Sequence, residues 1–94
     1  MIDLQVRDEI GNILAHSAGV SWDESLVEID RADLPMIAGL CPYADTIFNS
    51  WQRPMLLEEL DRLPAERGPW VDRVRAMCRT AEEESHRYLW FVGD

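Results

Sequence analysis

Tyr88-Leu89-Trp90-Phe91-Val92 is the run that decides the fold. Its residues are aromatic, β-branched or leucine, and it is apolar at successive positions. Both faces of the extended chain are therefore apolar, which marks a central strand covered on both sides. A chain whose most strand-like run comes last, before Gly93-Asp94, is expected to insert that run into a sheet built by earlier segments.

Ile2-Asp3-Leu4-Gln5-Val6 alternates strictly between apolar and polar, as a half-buried strand does. Gly11-Asn12 supplies a turn that tolerates positive φ, and Ile13-Leu14-Ala15-His16 returns as the second arm of a hairpin. Residues 17–21 read as a break, and Leu26-Val27-Glu28-Ile29 as a third strand. Asp33 is placed to cap a short helix, with Pro35 in its first turn and Gly39 near its end. Residues 40–49 carry no clear period. They are read as a structured loop across the core, with a short extended piece at Thr46-Ile47-Phe48.

Two longer helices follow. Asn49 or Ser50 can cap the first, and Pro54 is tolerated only in or just before the first turn. Its stripe is Leu56, Leu57, Leu60 and Leu63, with Glu58, Glu59, Asp61 and Arg62 expected to face water and Pro64 to stop it. The second starts at Pro69. Trp70, Val71, Val74, Met77, Cys78 and Ala81 make an apolar face of helical period, opposite Asp72, Arg73, Arg75 and Arg79. Arg79 and Glu83 are spaced for an i,i+4 pair. The sum is an α+β fold in one domain spanning residues 1–94. An N-terminal β-hairpin and further strands form a mainly antiparallel sheet with the C-terminal strand, and two main helices pack on one face.

Composition narrows the function. Ninety-four residues support one core. The net charge is −9, and it is unevenly placed. Residues 1–50 hold nine acids against two Arg, a balance of −7; residues 51–94 hold nine against seven, a balance of −2. This field opposes direct contact with nucleic acid or an anionic membrane and favours a basic protein surface. All nine basic residues are Arg, which removes Schiff-base and P-loop lysines. Cys41 and Cys78 have no CxxC partner, no secretory or membrane-spanning apolar run is seen, and a reducing cytoplasm is the simplest compartment.

Catalytic constellations are thin. His86 follows Glu82-Glu83-Glu84 and is read as the last turn of the second helix, where its charged form gains from the helix dipole. A carboxylate–His metal pair there lacks further ligands. Cys78 lies on the apolar stripe, and Cys41 has no orienting base. No Gly-rich phosphate loop or nucleophile elbow occurs. No catalytic residue, metal or cofactor is expected.

Two stretches carry unusual residues. The first, residues 22–33, sets Trp22 among Asp23, Glu24, Glu28, Asp30 and Asp33, as an acidic edge with an aromatic anchor would. The second is the loop with Tyr43, Asp45, Thr46, Asn49, Trp51 and Arg53, whose polar members also suit turns and caps. The pattern Pro42-Tyr43-x-Asp45-Thr46-x-Phe48-Asn49, then a leucine-rich helix and the terminal Tyr88-Leu89-Trp90-Phe91-Val92-Gly93-Asp94, resembles a group of short uncharacterised (hypothetical) bacterial proteins. The likeness covers roughly residues 40–94, implies no activity, and leaves out the acidic first half.

The expectation is a non-enzymatic protein-binding module, a small acidic inhibitor or immunity-type protein that covers a basic surface on a partner such as a toxin or nuclease. A self-associating structural or regulatory subunit, such as a homodimer, is the second reading. An enzyme accessory or small-ligand-binding domain using the loop from Tyr43 to Arg53 is the third.

Overall fold

The computed structural model describes residues 2–20, 32–41, 43–63 and 69–93. Strands β1 (Ile2–Asp8), β2 (Ile13–Val20), β3 (Thr46–Phe48) and β4 (Arg87–Val92) form one antiparallel sheet in the order β2-β1-β4-β3. Helices α1 (Pro35–Ala38), α2 (Gln52–Asp61) and α3 (Trp70–Glu82) complete the described elements. The architecture is α+β, as the residue pattern implies.

The terminal apolar run is indeed a central strand. Along β4, Leu89 and Phe91 are fully buried, while Tyr88, Trp90 and Val92 on the opposite face are half-buried. Across the inner face, Leu89 stands beside Val6 and Phe48, and Phe91 beside Leu4 and Thr46. Phe48 and Phe91 meet edge to face, with ring centroids 5.6 Å apart. On the outer face, the Arg7 guanidinium lies 4.0 Å from the Trp90 ring centre and donates through Nε to Gln5 Oε1 at 2.7 Å.

The hairpin turns at Gly11, whose φ of +90° suits a residue without a side chain. Asp8 organises this turn. Its Oδ1 accepts from the backbone N–H of Ile10 and Asn12, and its Oδ2 from Asn12 Nδ2 at 3.0 Å. β2 is longer than its sequence implies. Instead of breaking after His16, it continues to Val20, which pairs with Ile2. The register shifts between Ile2 and Leu4, so a bulge absorbs the one extra residue that β2 carries between Ser17 and Val20. The strand expected at residues 26–29 lies outside the described residues, as does Pro64.

Helix α3 matches its stripe. Trp70, Val74, Met77, Cys78 and Ala81 are buried against the sheet, and Val71 is half-buried. Glu83 faces Arg87 rather than the expected Arg79. Helix α2 departs from expectation on its buried side. Leu56 and Leu60 are buried there, but so are Arg53 and Glu59, the latter only 3% exposed although water was its expected environment. Both Glu59 oxygens accept hydrogen bonds from α1, Oε2 from Met36 N–H and Oε1 from Ile37 N–H, each at 3.0 Å. A carboxylate from another helix thereby satisfies the first free amides of α1. Asp33 does not. It is exposed, and the α1 cap position is Leu34, without a side-chain bond.

Gly93 lies against the backbone of Cys41 and Ala44. A Cβ there would come within 2.5 Å of the Ala44 N and O atoms. The loop before β3 and the end of the terminal run are therefore packed side by side.

Candidate functional site

One end of the sheet, where α3 turns into β4, carries the polar and exposed features that the core does not use. Residues 83–86 reverse the chain there, with His86 in the left-handed region at φ 60°. Only a few per cent of non-glycine residues adopt that conformation, and histidine is among those enriched in it. His86 was expected on the helix. Instead α3 closes at Glu82 and His86 lies in the turn, because Arg87 rather than His86 tends the helix end. Arg87 Nη1 donates to the Thr80 carbonyl at 2.9 Å, and the same guanidinium pairs with Glu83 at 3.6 Å and Glu84 at 3.3 Å.

A cleft of about 430 Å³ opens on one side of this turn. Its second wall is the start of α2. Asn49 Oδ1 accepts from the N–H groups of Trp51 and Gln52, while Gln52 Oε1 accepts from Asn49 N–H at 2.9 Å. This reciprocal arrangement is a capping box, so Asn49 is the working cap, as its residue type implies. The box also holds the backbone of Trp51, whose side chain is turned to solvent; the residue is 84% exposed.

Arg53 lies behind the box, 5% exposed, and lines the cleft. Its Nη1 donates to the Arg87 carbonyl at 2.8 Å and so ties α2 to the first residue of β4. Its Nε has no hydrogen-bond partner, and among the described residues no carboxylate forms an ion pair with it. Removing a guanidinium from water costs several kcal/mol unless an opposite charge compensates. Among the described residues, the Arg53 charge is thus buried without one.

A second cleft, of about 300 Å³, lies on the other side of the turn, where Glu9, Ile10 and Leu14 of the hairpin face residues 84–87. His86 Nδ1 is 3.7 Å from Glu9 Oε2, a loose exposed contact worth little. A hollow of about 230 Å³ between α2 and α3 is bounded by the Arg75–Asp61 ion pair and by Cys78, whose thiol burial pushes up to about 11. That thiol remains protonated at neutral pH and is no nucleophile.

The loop residues expected to act together are divided between two places. Asn49, Trp51 and Arg53 line the larger cleft. Tyr43 and Asp45, both exposed, and Thr46, half-buried opposite Phe91, belong to the far end of β3. Of the acidic set, Asp33 is exposed before α1; Trp22, Asp23, Glu24, Glu28 and Asp30 lie outside the described residues. Glu84, Ser85, His86 and Arg87 were not foreseen as site residues. The signal for them was the end of the apolar stripe at Ala81, six residues before the next strand, which requires a turn.

Among the described residues no group of three His, Cys, Asp or Glu side chains is arranged to hold a metal, and no helix is long and apolar enough to cross a membrane. Fold and cleft define an α+β domain in which the most exposed aromatic residues among those described, Tyr43 and Trp51, flank the edge strand β3 of an antiparallel sheet. Comparison of the chain with protein-family models, with curated proteins and with solved structures finds no match in any of the three.

Proposed function

We propose that this chain is a non-enzymatic protein-binding module, a small acidic inhibitor or immunity-type protein that covers a basic surface on a partner protein. Trp51 carries the reading. It is 84% exposed, its backbone is fixed by the capping box, and Glu84 lines the same cleft. A preorganised aromatic side chain beside a carboxylate suits an anchor in an interface whose opposite side is basic. The net charge of −9 adds long-range attraction, with Asp23, Glu24, Glu28, Asp30 and Asp33 contributing on the sequence side. A toxin or nuclease is a fitting target, because a surface that attracts phosphate also attracts carboxylates.

Affinity capture at low and high salt, with the captured protein identified and its affinity measured, tests this reading. A basic partner is expected, held at low salt, released as salt rises, and bound at least tenfold more weakly by Trp51→Ala. Capture that is empty at low salt, or indifferent to salt, defeats it.

The second reading, self-association, draws on β3. This edge strand is three residues long and leaves Ile47 44% exposed. Repulsion between two chains of charge −9 opposes it. Sedimentation that stays monomeric across concentration removes it.

A further inference from the structure

Two charged side chains are buried among the described residues, and their circumstances are opposite. Glu59 has both oxygens engaged by the α1 amides. Arg53 has one N–H on a carbonyl, an Nε without a partner and, among the described residues, no carboxylate paired with its charge. Arg53 also lines an open cleft, together with the exposed Trp51. A buried, unbalanced cation beside an exposed aromatic surface defines complementary chemistry: an anion joined to an apolar body.

We infer that the cleft between the capping turn of α2 and residues 84–88 binds a small monocarboxylate with an aromatic body, its carboxylate toward Arg53 and its ring against Trp51. The cleft volume of about 430 Å³ suits such a molecule. Nη1 is held by the Arg87 carbonyl, and the remaining guanidinium donor, Nη2, offers a charge-assisted hydrogen bond to a carboxylate oxygen. A flat ring gains from offset stacking on the indole. Glu84 lines the same cleft and disfavours a second negative charge, so a carboxylate is preferred to a phosphate dianion. Ser50 and Ser85 add hydroxyl donors to the lining. This goes beyond the partner-protein reading, with which it shares Trp51, and the free chain titrated with a small acid tests it separately from any partner.

The test is a titration of the full-length ¹⁵N-labelled chain with phenylacetate, followed by NMR. Saturable shifts are expected at the Trp51 indole N–H, the Arg53 Nε–H and the amides of residues 85–88, with a Kd on the order of 1 mM. Phenylacetamide, of the same shape but neutral, and inorganic phosphate should each bind at least tenfold more weakly. Glu84→Gln should tighten binding about two- to fivefold by removing a like charge. Trp51→Ala should weaken it about fivefold. Both sites are exposed, so the fold is preserved. Shifts that do not saturate, shifts confined to residues outside the cleft, or equal binding of acid and amide would overturn the inference.

Discussion

Helices α2 and α3 are neighbours, joined by a 2.8 Å ion pair between Asp61 and Arg75, but they hold their places by different means. The buried side of α3 is wholly apolar: Trp70, Val74, Met77, Cys78 and Ala81. The buried side of α2 places Arg53 and Glu59 among its leucines. Non-directional burial anchors α3. Two directed contacts orient α2, one reaching α1 and one reaching β4. A helix of the second kind tolerates less change in residue type, since an abandoned buried polar group costs more than its hydrogen bond contributed. It also leaves charge at the edge of the core, which is where the cleft lies.

Glu59→Ala is the strongest way to break this contrast. Removing the carboxylate strands Met36 N–H and Ile37 N–H, one of them in a buried contact, and should cost about 3 kcal/mol in urea unfolding. Glu59→Gln, which keeps one acceptor oxygen, should cost about half as much. A loss below about 1 kcal/mol for the alanine variant would mean that α1 is held by packing alone. On α3, Val74→Ala removes only buried methyl groups and should cost about 2 kcal/mol, with no change in the amide protection of α1.

The same contrast explains which parts could be read from sequence. Periodic apolar burial was legible: β4 as a central strand, the hairpin, and every buried position of α3. The partners of Glu59 lie 22 and 23 residues away and that of Arg53 lies 34 away, so no local pattern announces them. β2 beyond His16 was hidden for a related reason. Ser17-Ala18-Gly19 has no alternation, and pairing with β1 rather than propensity makes it a strand. At the cleft, Asn49, Trp51 and Arg53 stood out as residue types, but their wall-mates in residues 84–87 looked like the end of a charged helix. Only the sheet register, which brings Arg87 opposite Asp8, puts that turn beside the hairpin.

The contact between the two helices should matter least of the helix interactions. Asp61 is 64% and Arg75 36% exposed at the side chain, so Asp61→Asn should cost about 0.5 kcal/mol or less. The loss should fade further at high salt, where surface charges are screened. A salt-independent loss would show that Arg75 has a buried role beyond the pair.

Asp8 sharpens the comparison from the surface, since it does for the hairpin turn what Glu59 does for α1. Desolvation acts to raise the Asp8 pKa, but hydrogen bonds from Asn12 backbone and side chain, and from Ile10 and Gly11, outweigh it and hold the carboxyl below its usual 3.8. The folded form therefore prefers the carboxylate. Its contribution is present above the unfolded-chain value and is lost as pH falls through the lower folded one. NMR titration should place the Asp8 carboxyl below 3.8, and the Ile10 and Asn12 amides should lose protection over that same interval. Asp8→Asn retains one acceptor oxygen and should abolish this acid step while leaving the hairpin formed at neutral pH. If the Ile10 and Asn12 amides still lose protection in acid in that variant, the turn is governed by another carboxylate, with Glu9 the nearest in sequence.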